Sequence, residues 1–327
     1  MPRQTAQTIL LRQLKHSRDY LSGEVLSREL GVSRTAVWKL ISRLRAAGYT
    51  IDAVPSRGYR LLSAPEQLDA QIISDELEPT CQMGRRILFN TETGSTNADA
   101  YRLAEAGAEQ GTVVIADHQT SGKGRLGRRW ESPAGVNLYC SVVLRPDILP
   151  YEAPQLTFLS AVAVARAITM ITGLQPCIKW PNDVLLHGRK VAGLLNEMSA
   201  ETDRIGFVIL GIGINVNMRA QQFPDDLRYP ATSLMLESGL PVSRQALLIC
   251  LLQELDHEYL RFESRGFAPV RAEWTYYCNA FGRKVQVNQG AGILHGAFDG
   301  IDEDGALLVR CGDGRQERIM SGDVTVL

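Results

Sequence analysis

The chain has 327 residues, 45% hydrophobic and 22% charged, with a formal net charge of −1. At ~100–200 residues per domain that length gives two or three domains, and the balance excludes gross disorder and collagen-like repetition. No apolar run reaches the ~18 residues of a membrane span, and the N-terminus has no apolar core followed by a small-residue cleavage site.

Six cysteines (Cys81, Cys140, Cys177, Cys250, Cys278 and Cys311) are scattered with no C-x-x-C pair. They read as buried, reduced thiols in a cytoplasmic protein with no membrane partner. Charge is uneven: residues 1–62 hold 11 Lys/Arg against 4 Asp/Glu, a formal +7, and the remainder carries −8. A basic head on an acidic body points the head towards nucleic acid.

In chain order, Ile9, Leu10, Leu14 and Leu21 approach helical spacing. Ser22 or Gly23 starts a second helix that ends before Gly31, a residue able to take a left-handed turn. Ser33 caps a third helix over roughly 34–47. Its inward face is Val37, Leu40, Ile41 and Leu44; its outward face is Ser33, Arg34, Thr35, Lys39 and Arg43. Residues 49–62 read as a β-hairpin with Arg57 at its tip. This is a winged helix-turn-helix DNA-binding domain over residues 1–65, its third helix suited to a major groove. The cap, the turn glycine and the charge favour it over a helical hairpin for protein contacts. A linker over 63–69 leads into a short helix.

The central body, 66–278, alternates strands and helices. A strand from Arg86 is followed by a helix at Gly94-Ser-Thr-Asn, where Thr96-x-x-Asp99 reads as a capping box. Ser95 and Thr96 either cap that helix or hold a polar or anionic ligand at its N-terminus. A strand over 111–117 runs into His118-Gln-Thr-Ser-Gly-Lys-Gly-Arg-Leu-Gly-Arg-Arg-Trp130. Its literal G-x-G-x-x-G opens no helix, so it is not a dinucleotide fingerprint. It does set Lys123, Arg125, Arg128 and Arg129 among glycines that let backbone fold close to a phosphate.

A strand over 136–144, an apolar core helix over 155–171 and a strand Cys177-Ile-Lys-Trp180 follow. Lys179 alternates with Ile178 and Trp180, so it must reach water or pair with an anion. A hairpin over 184–197, a glycine-punctuated strand from Ile205 and an amphipathic helix over 243–262 complete the body. The glycines imply that something approaches that strand's backbone closely. The class is α+β, with a mixed-sheet central domain. Short strands after residue 280, with a turn at Asp304-Gly305, suggest an SH3-like C-terminal β-barrel over 279–327.

Together Gly94-Ser-Thr-Asn97, Gln119-Thr-Ser-Gly-Lys-Gly-Arg-Leu-Gly-Arg128 with Trp130, Lys179-Trp-Pro-Asn-Asp183 and Gly211-Ile-Gly-Ile-Asn-Val216 resemble, essentially end to end, the biotin protein ligases that double as biotin operon repressors. The basic glycine loop and Lys-Trp-Pro-Asn-Asp are the specific parts. Lys123 departs from the family's usual arginine, keeping charge but not bidentate phosphate geometry.

The resemblance implies an ATP-dependent biotin–protein ligase that uses biotin, ATP and Mg2+ to make biotinyl-5′-AMP. The biotinyl group then passes to a lysine of the biotin carboxyl carrier domain of acetyl-CoA carboxylase. An adenylate-bound homodimer would repress at biotin operator DNA. Lys179 and Arg125 would be catalytic. Ser95, Thr96 and Gln119 would hydrogen-bond the ureido ring of biotin, and Asn97 would be a further cofactor-binding residue. Gly122, Lys123, Gly124 and Arg128 would form the closing loop, and Trp130 would cover the adenylate. Asn182, Asp183 and Asn215 are candidates for ATP or magnesium contacts; the metal ligands themselves are unassigned. A lipoate or octanoate ligase and a ligand-sensing repressor without catalysis are the rivals. The DNA-binding head with Lys-Trp-Pro-Asn-Asp argues against the first, and Lys179 with Arg125 against the second.

Overall fold

The computed structural model describes residues 6–17, 19–46, 49–63, 68–289 and 292–327. The chain divides near residue 67 into two units. The expected boundary at 65/66, most of the linker and Ala47 at the end of the third helix lie outside the described residues.

In the first unit, α1 (Ala6–His16), α2 (Gly23–Leu30) and α3 (Arg34–Ala46) precede a hairpin of β1 (Thr50–Val54) and β2 (Gly58–Ser63). Ser22 caps α2 by accepting from Val25 N, and Gly31 ends it at φ 65°, a conformation that costs a residue with a Cβ ~1–2 kcal/mol. Ser33 Oγ accepts from Ala36 N at 3.2 Å and caps α3. Leu10, Leu14, Leu26, Val37, Ile41, Leu44 and Ile51 form the core.

The second unit is built on a seven-stranded sheet. Its strands are β3 (Arg86–Asn90), β4 (Thr112–Ala116), β5 (Leu138–Leu144), β6 (Cys177–Lys179), β7 (Asp183–Leu186), β8 (Arg189–Ala200) and β9 (Ile205–Ile214). Their order is β3-β4-β5-β9-β8-β7-β6; only β3 and β4 are parallel. β5 is buried along its whole length, because it lies inside the sheet with both faces covered.

Its helices are α4 (Ala70–Glu76), α5 (Thr96–Glu105), α6 (Gln155–Thr172), α7 (Leu234–Ser238), α8 (Arg244–Arg265) and α9 (Ala268–Tyr277). α6 is long and apolar enough by composition to cross a membrane, a span the apolar-run count does not reveal; here it is mostly buried in the core. α9 has no sequence-based counterpart; Pro269 in its first turn and Trp274, fully buried, fix it.

Strands β10 (Lys284–Asn288), β11 (Ile293–Ile301), β12 (Leu307–Arg310), β13 (Gln316–Ile319) and β14 (Asp323–Val326) form an antiparallel sheet ordered β13-β12-β11-β10-β14. No ladder joins β13 to β14 among the described residues. The turn at Asp304-Gly305 is present, with Gly305 at φ 86°, and its backbone binds the central domain: Trp180 Nε1 donates to Gly305 O at 3.1 Å. All six cysteines are free thiols, but only Cys81, Cys140, Cys250 and Cys278 are buried as expected; Cys177 and Cys311 are partly exposed.

Candidate functional site

A cavity of about 620 Å³ opens where the α5 N-terminus, the basic glycine loop, the β6–β7 turn, the middle of β8 and β9, the 217–232 segment and β14 converge. All the cofactor-contact residues expected from sequence line it except Gly122.

At the α5 N-terminus the residue before the helix is Ser95, one position earlier than the expected box. Thr96 begins the helix, and Asp99 accepts instead from Thr93 at 2.5 Å and Asn90 at 3.2 Å. Ser95 makes no side-chain cap, is buried, and faces the cavity. Thr96 is held: its N–H and Oγ1 both donate to Gln119 Oε1, at 2.9 and 3.1 Å. Gln119 Nε2 donates to Ser132 Oγ at 3.0 Å. Asn97 Nδ2 donates to Leu195 O at 3.1 Å and Glu197 Oε2 at 2.7 Å, with Ser141 Oγ 2.6 Å from its Oδ1. This is a fully engaged polar lattice, the arrangement that fixes buried amide positions.

The glycines of β8 and β9 have a physical account. A Cβ on Gly211 would lie 2.1 Å from Asn97 Oδ1. On Gly213 it would lie 2.7 Å from Trp130 Nε1 and Cε2, and on Gly193 2.9 Å from Trp130 Cζ3. The Trp130 indole therefore rests on a floor of two glycines. Its Nε1 is buried without a partner, a donor left for a ligand acceptor or water.

The glycine loop folds on itself. Gly124 N donates to Arg128 O at 2.7 Å and Trp130 N to Gly122 O at 2.9 Å. No α-helix follows, where a dinucleotide fingerprint would open one. Gly122 packs beneath Trp130 O and Ser132 Oγ, which a Cβ would meet at 2.5 and 2.7 Å. The loop's cations take different routes. Arg129 pairs with Glu131 at 2.9 Å. Arg128 donates to both oxygens of Asp323, which also takes Arg228 at 2.9 Å. Arg125 Nη1 lies 3.5 Å from Asn182 Oδ1; burial pulls its guanidinium below the ordinary value, against the raising charges of Asp323 and Asp183. It is a desolvated cation short of counter-charge, which an incoming anion can supply.

Lys179 ends β6, with Ile178 and Trp180 on either side buried. Among the described residues its side chain has no ion pair and no hydrogen bond; its ammonium lies 3.9 Å from the centroid of the Tyr229 ring. The following turn is pinned by Asn182, whose Nδ2 donates to Leu194 O at 2.6 Å. Asp183 pairs with Lys190 at 2.5 Å. Asn215 Nδ2 donates to Thr232 O at 3.1 Å. Sequence reasoning missed Lys190, Tyr229, Arg228 and Asp323. The last three come from a segment and a strand with no local motif. No cluster of three His, Cys, Asp or Glu side chains fit for a metal occurs among the described residues.

In the first unit, the cap Ser33 is exposed, as are Arg34, Thr35, Lys39 and Arg43 on α3. Arg34 reaches back to Glu24 at 2.7 Å. Arg57 is exposed at the hairpin tip and lies 4.4 Å over the Tyr20 ring, with Arg60 at 4.7 Å. Trp38 on α3, passed over in the sequence, is 57% exposed.

Comparison with known proteins decides the family. The bifunctional ligase/repressor BirA of Bacillus spizizenii is 41% identical over 94% of both chains. The chain belongs to the bifunctional biotin ligase/repressor family. Models of the biotin/lipoate A/B protein ligase family, of an HTH domain and of the biotin protein ligase C-terminal domain match residues 89–215, 6–60 and 280–327. A biotin–[acetyl-CoA-carboxylase] ligase of Paracoccus denitrificans is 37% identical over 68% of this chain and 94% of its own. Among solved structures, the biotin protein ligase from Aquifex aeolicus in complex with biotin and ATP has 31% identity and a TM-score of 0.65, covering 74% of this chain and all of that one.

Proposed function

We propose that this ligase/repressor condenses biotin with ATP and transfers the product's biotinyl group to a carrier lysine. A biotin carboxylate oxygen attacks the α-phosphorus, the bond to pyrophosphate breaks, and biotinyl-5′-AMP forms. The acceptor's amine then attacks the acyl carbonyl and AMP leaves. The acceptor is the biotin carboxyl carrier domain of acetyl-CoA carboxylase, in keeping with the Paracoccus relative's name. The observation that carries the proposal is Lys179, a cation with no counter-ion among the described residues, at the end of β6 and sharing one cavity with the desolvated Arg125. Adenylation brings two anions together, and preorganised positive charge at their meeting point lowers that barrier.

Ser95, with Thr96, Asn97 and Gln119 behind it, orients biotin. Trp130 covers the adenylate, and the loop of Gly122, Lys123, Gly124 and Arg128 closes over it, keeping water from the anhydride. Asn182, Asp183 and Asn215 border the nucleotide. Magnesium enters with ATP, held mainly by phosphate oxygens; Asp183, now paired with Lys190, is the one carboxylate of the expected set able to join it.

Residues 1–65 form the operator-binding domain, 66–278 the catalytic domain and 279–327 an SH3-like domain, a reading supported by the five-strand antiparallel order. Ser33, Arg34, Thr35, Lys39, Arg43 and Arg57 contact operator DNA, and the adenylate-bound chain dimerises to present two heads to a palindrome. The protein acts in the cytoplasm. Radiolabelled ATP with biotin, and with lipoate in parallel, tests the substrate. A biotin-dependent adenylate is expected; an adenylate with lipoate alone would overturn the proposal.

A further inference from the structure

We infer that Tyr229 is a positioning residue for Lys179, and that the C-terminal sheet sets it through Thr325. The inference rests on the adenylation reading above and adds a residue to it. Lys179 lies 3.9 Å above the Tyr229 ring centroid, with no carboxylate paired to it among the described residues. The Tyr229 hydroxyl is 3.0 Å from Thr325 Oγ1 on β14. Two residues earlier on the same strand, Asp323 takes Arg228, the chain neighbour of Tyr229, at 2.9 Å. β14 thus holds the ring's hydroxyl directly through Thr325 and its chain neighbour Arg228 through Asp323.

The choice of an aromatic partner has a physical reason. A carboxylate would fix Lys179 equally well, but its negative charge would cancel the field that two substrate anions need. A ring attracts the ammonium through its quadrupole and leaves the net charge at +1. It also replaces some of the rotamer restriction that a long, flexible lysine lacks. Removing the ring leaves Lys179 present but free to swing, so its loss acts on the chemical step more than on biotin binding.

The test is single-turnover formation of biotinyl-adenylate by the full-length protein, with biotin affinity and circular dichroism measured alongside. Tyr229→Leu is expected to slow adenylation about tenfold, at the centre of the cation–π range, with biotin Kd within about twofold of the parent. Tyr229→Trp, which keeps a π face, is expected to restore the rate to within about threefold. Thr325→Val keeps the ring and removes only its hydroxyl partner. A two- to fourfold slowing is expected from loss of about one hydrogen bond, which keeps the inference testable if Tyr229→Leu does not fold. Parent-like rates in Tyr229→Leu, or Tyr229→Trp as slow as Tyr229→Leu, would overturn it. A parent protein that makes no biotin-dependent adenylate would instead overturn the reading on which it rests.

Discussion

Gly213→Ala separates a ligand-site role for Trp130 from a packing role. The added Cβ would lie 2.7 Å from Nε1 and Cε2 and 3.0 Å from Cζ2 of the indole. Carbon contacts are relaxed near ~3.5–4.0 Å, so the ring must lift by about 1 Å. Trp130 is only half-buried at the cavity edge, so it can move into ligand space rather than compress the core. The stability cost then stays near the lower end of overpacking, ~1 kcal/mol, a melting-point loss of under about 4 °C. The functional cost is larger, because the ring now occupies the volume of the ligand it should cover. A ~1 Å displacement at a reacting site costs up to ~10²-fold, so KM for ATP is expected to rise 10- to 100-fold. Biotin-dependent pyrophosphate exchange against ATP concentration measures it, with a thermal melt of the same sample. An unchanged KM with an unchanged melt would refute the placement of Trp130 against the nucleotide.

Two further outcomes follow from the charge layout. Burial pushes the Asp323 carboxyl up, but the Arg128 hydrogen bond with the Arg128, Arg228 and Arg125 charges outweighs it and holds its pKa below the ordinary value. A depressed carboxyl contributes stability above its unfolded pKa of ~3.9 and loses it as pH falls through the folded value. Asp323→Asn is therefore expected to be less stable than the parent at pH 7 and above pH ~5, with the gap closing only in stronger acid. Denaturant melts at several pH values check this, and a gap that widens on acidification would contradict it. Arg57→Ala is expected to weaken operator binding roughly equally on all sequences and to reduce the slope of log K against log salt by ~0.9. Fluorescence anisotropy across a salt series measures the slope; an unaltered one would mean that Arg57 meets no phosphate.

Much of this architecture was readable before any coordinates, for reasons that differ by element. Ser22, Gly31 and Ser33 act through local backbone geometry, so the helix-turn-helix followed from them directly. Lys179 stood out because a lysine between two apolar neighbours must reach water or pair with an anion, and in the fold it lines the cavity. The glycines of β9 signalled a close approach, but only the fold identifies the visitors as Asn97 and Trp130. The box at Thr96 failed because Asp99 found Thr93 and Asn90, residues of the preceding strand and its turn. Tyr229, Arg228 and Asp323 were illegible. Their meaning lies in contacts about 50 to 195 positions apart, and neither periodicity nor spacing carries that information.

Lys179→Ala tests the central claim most directly. Single-turnover reactions with radiolabelled ATP and biotin, alongside biotin binding and a thermal melt, compare it with the parent. The account predicts that adenylate formation is abolished while the fold and its melting temperature are kept. Adenylate formed by Lys179→Ala at the parent rate would contradict it and place the chemistry elsewhere in the chain.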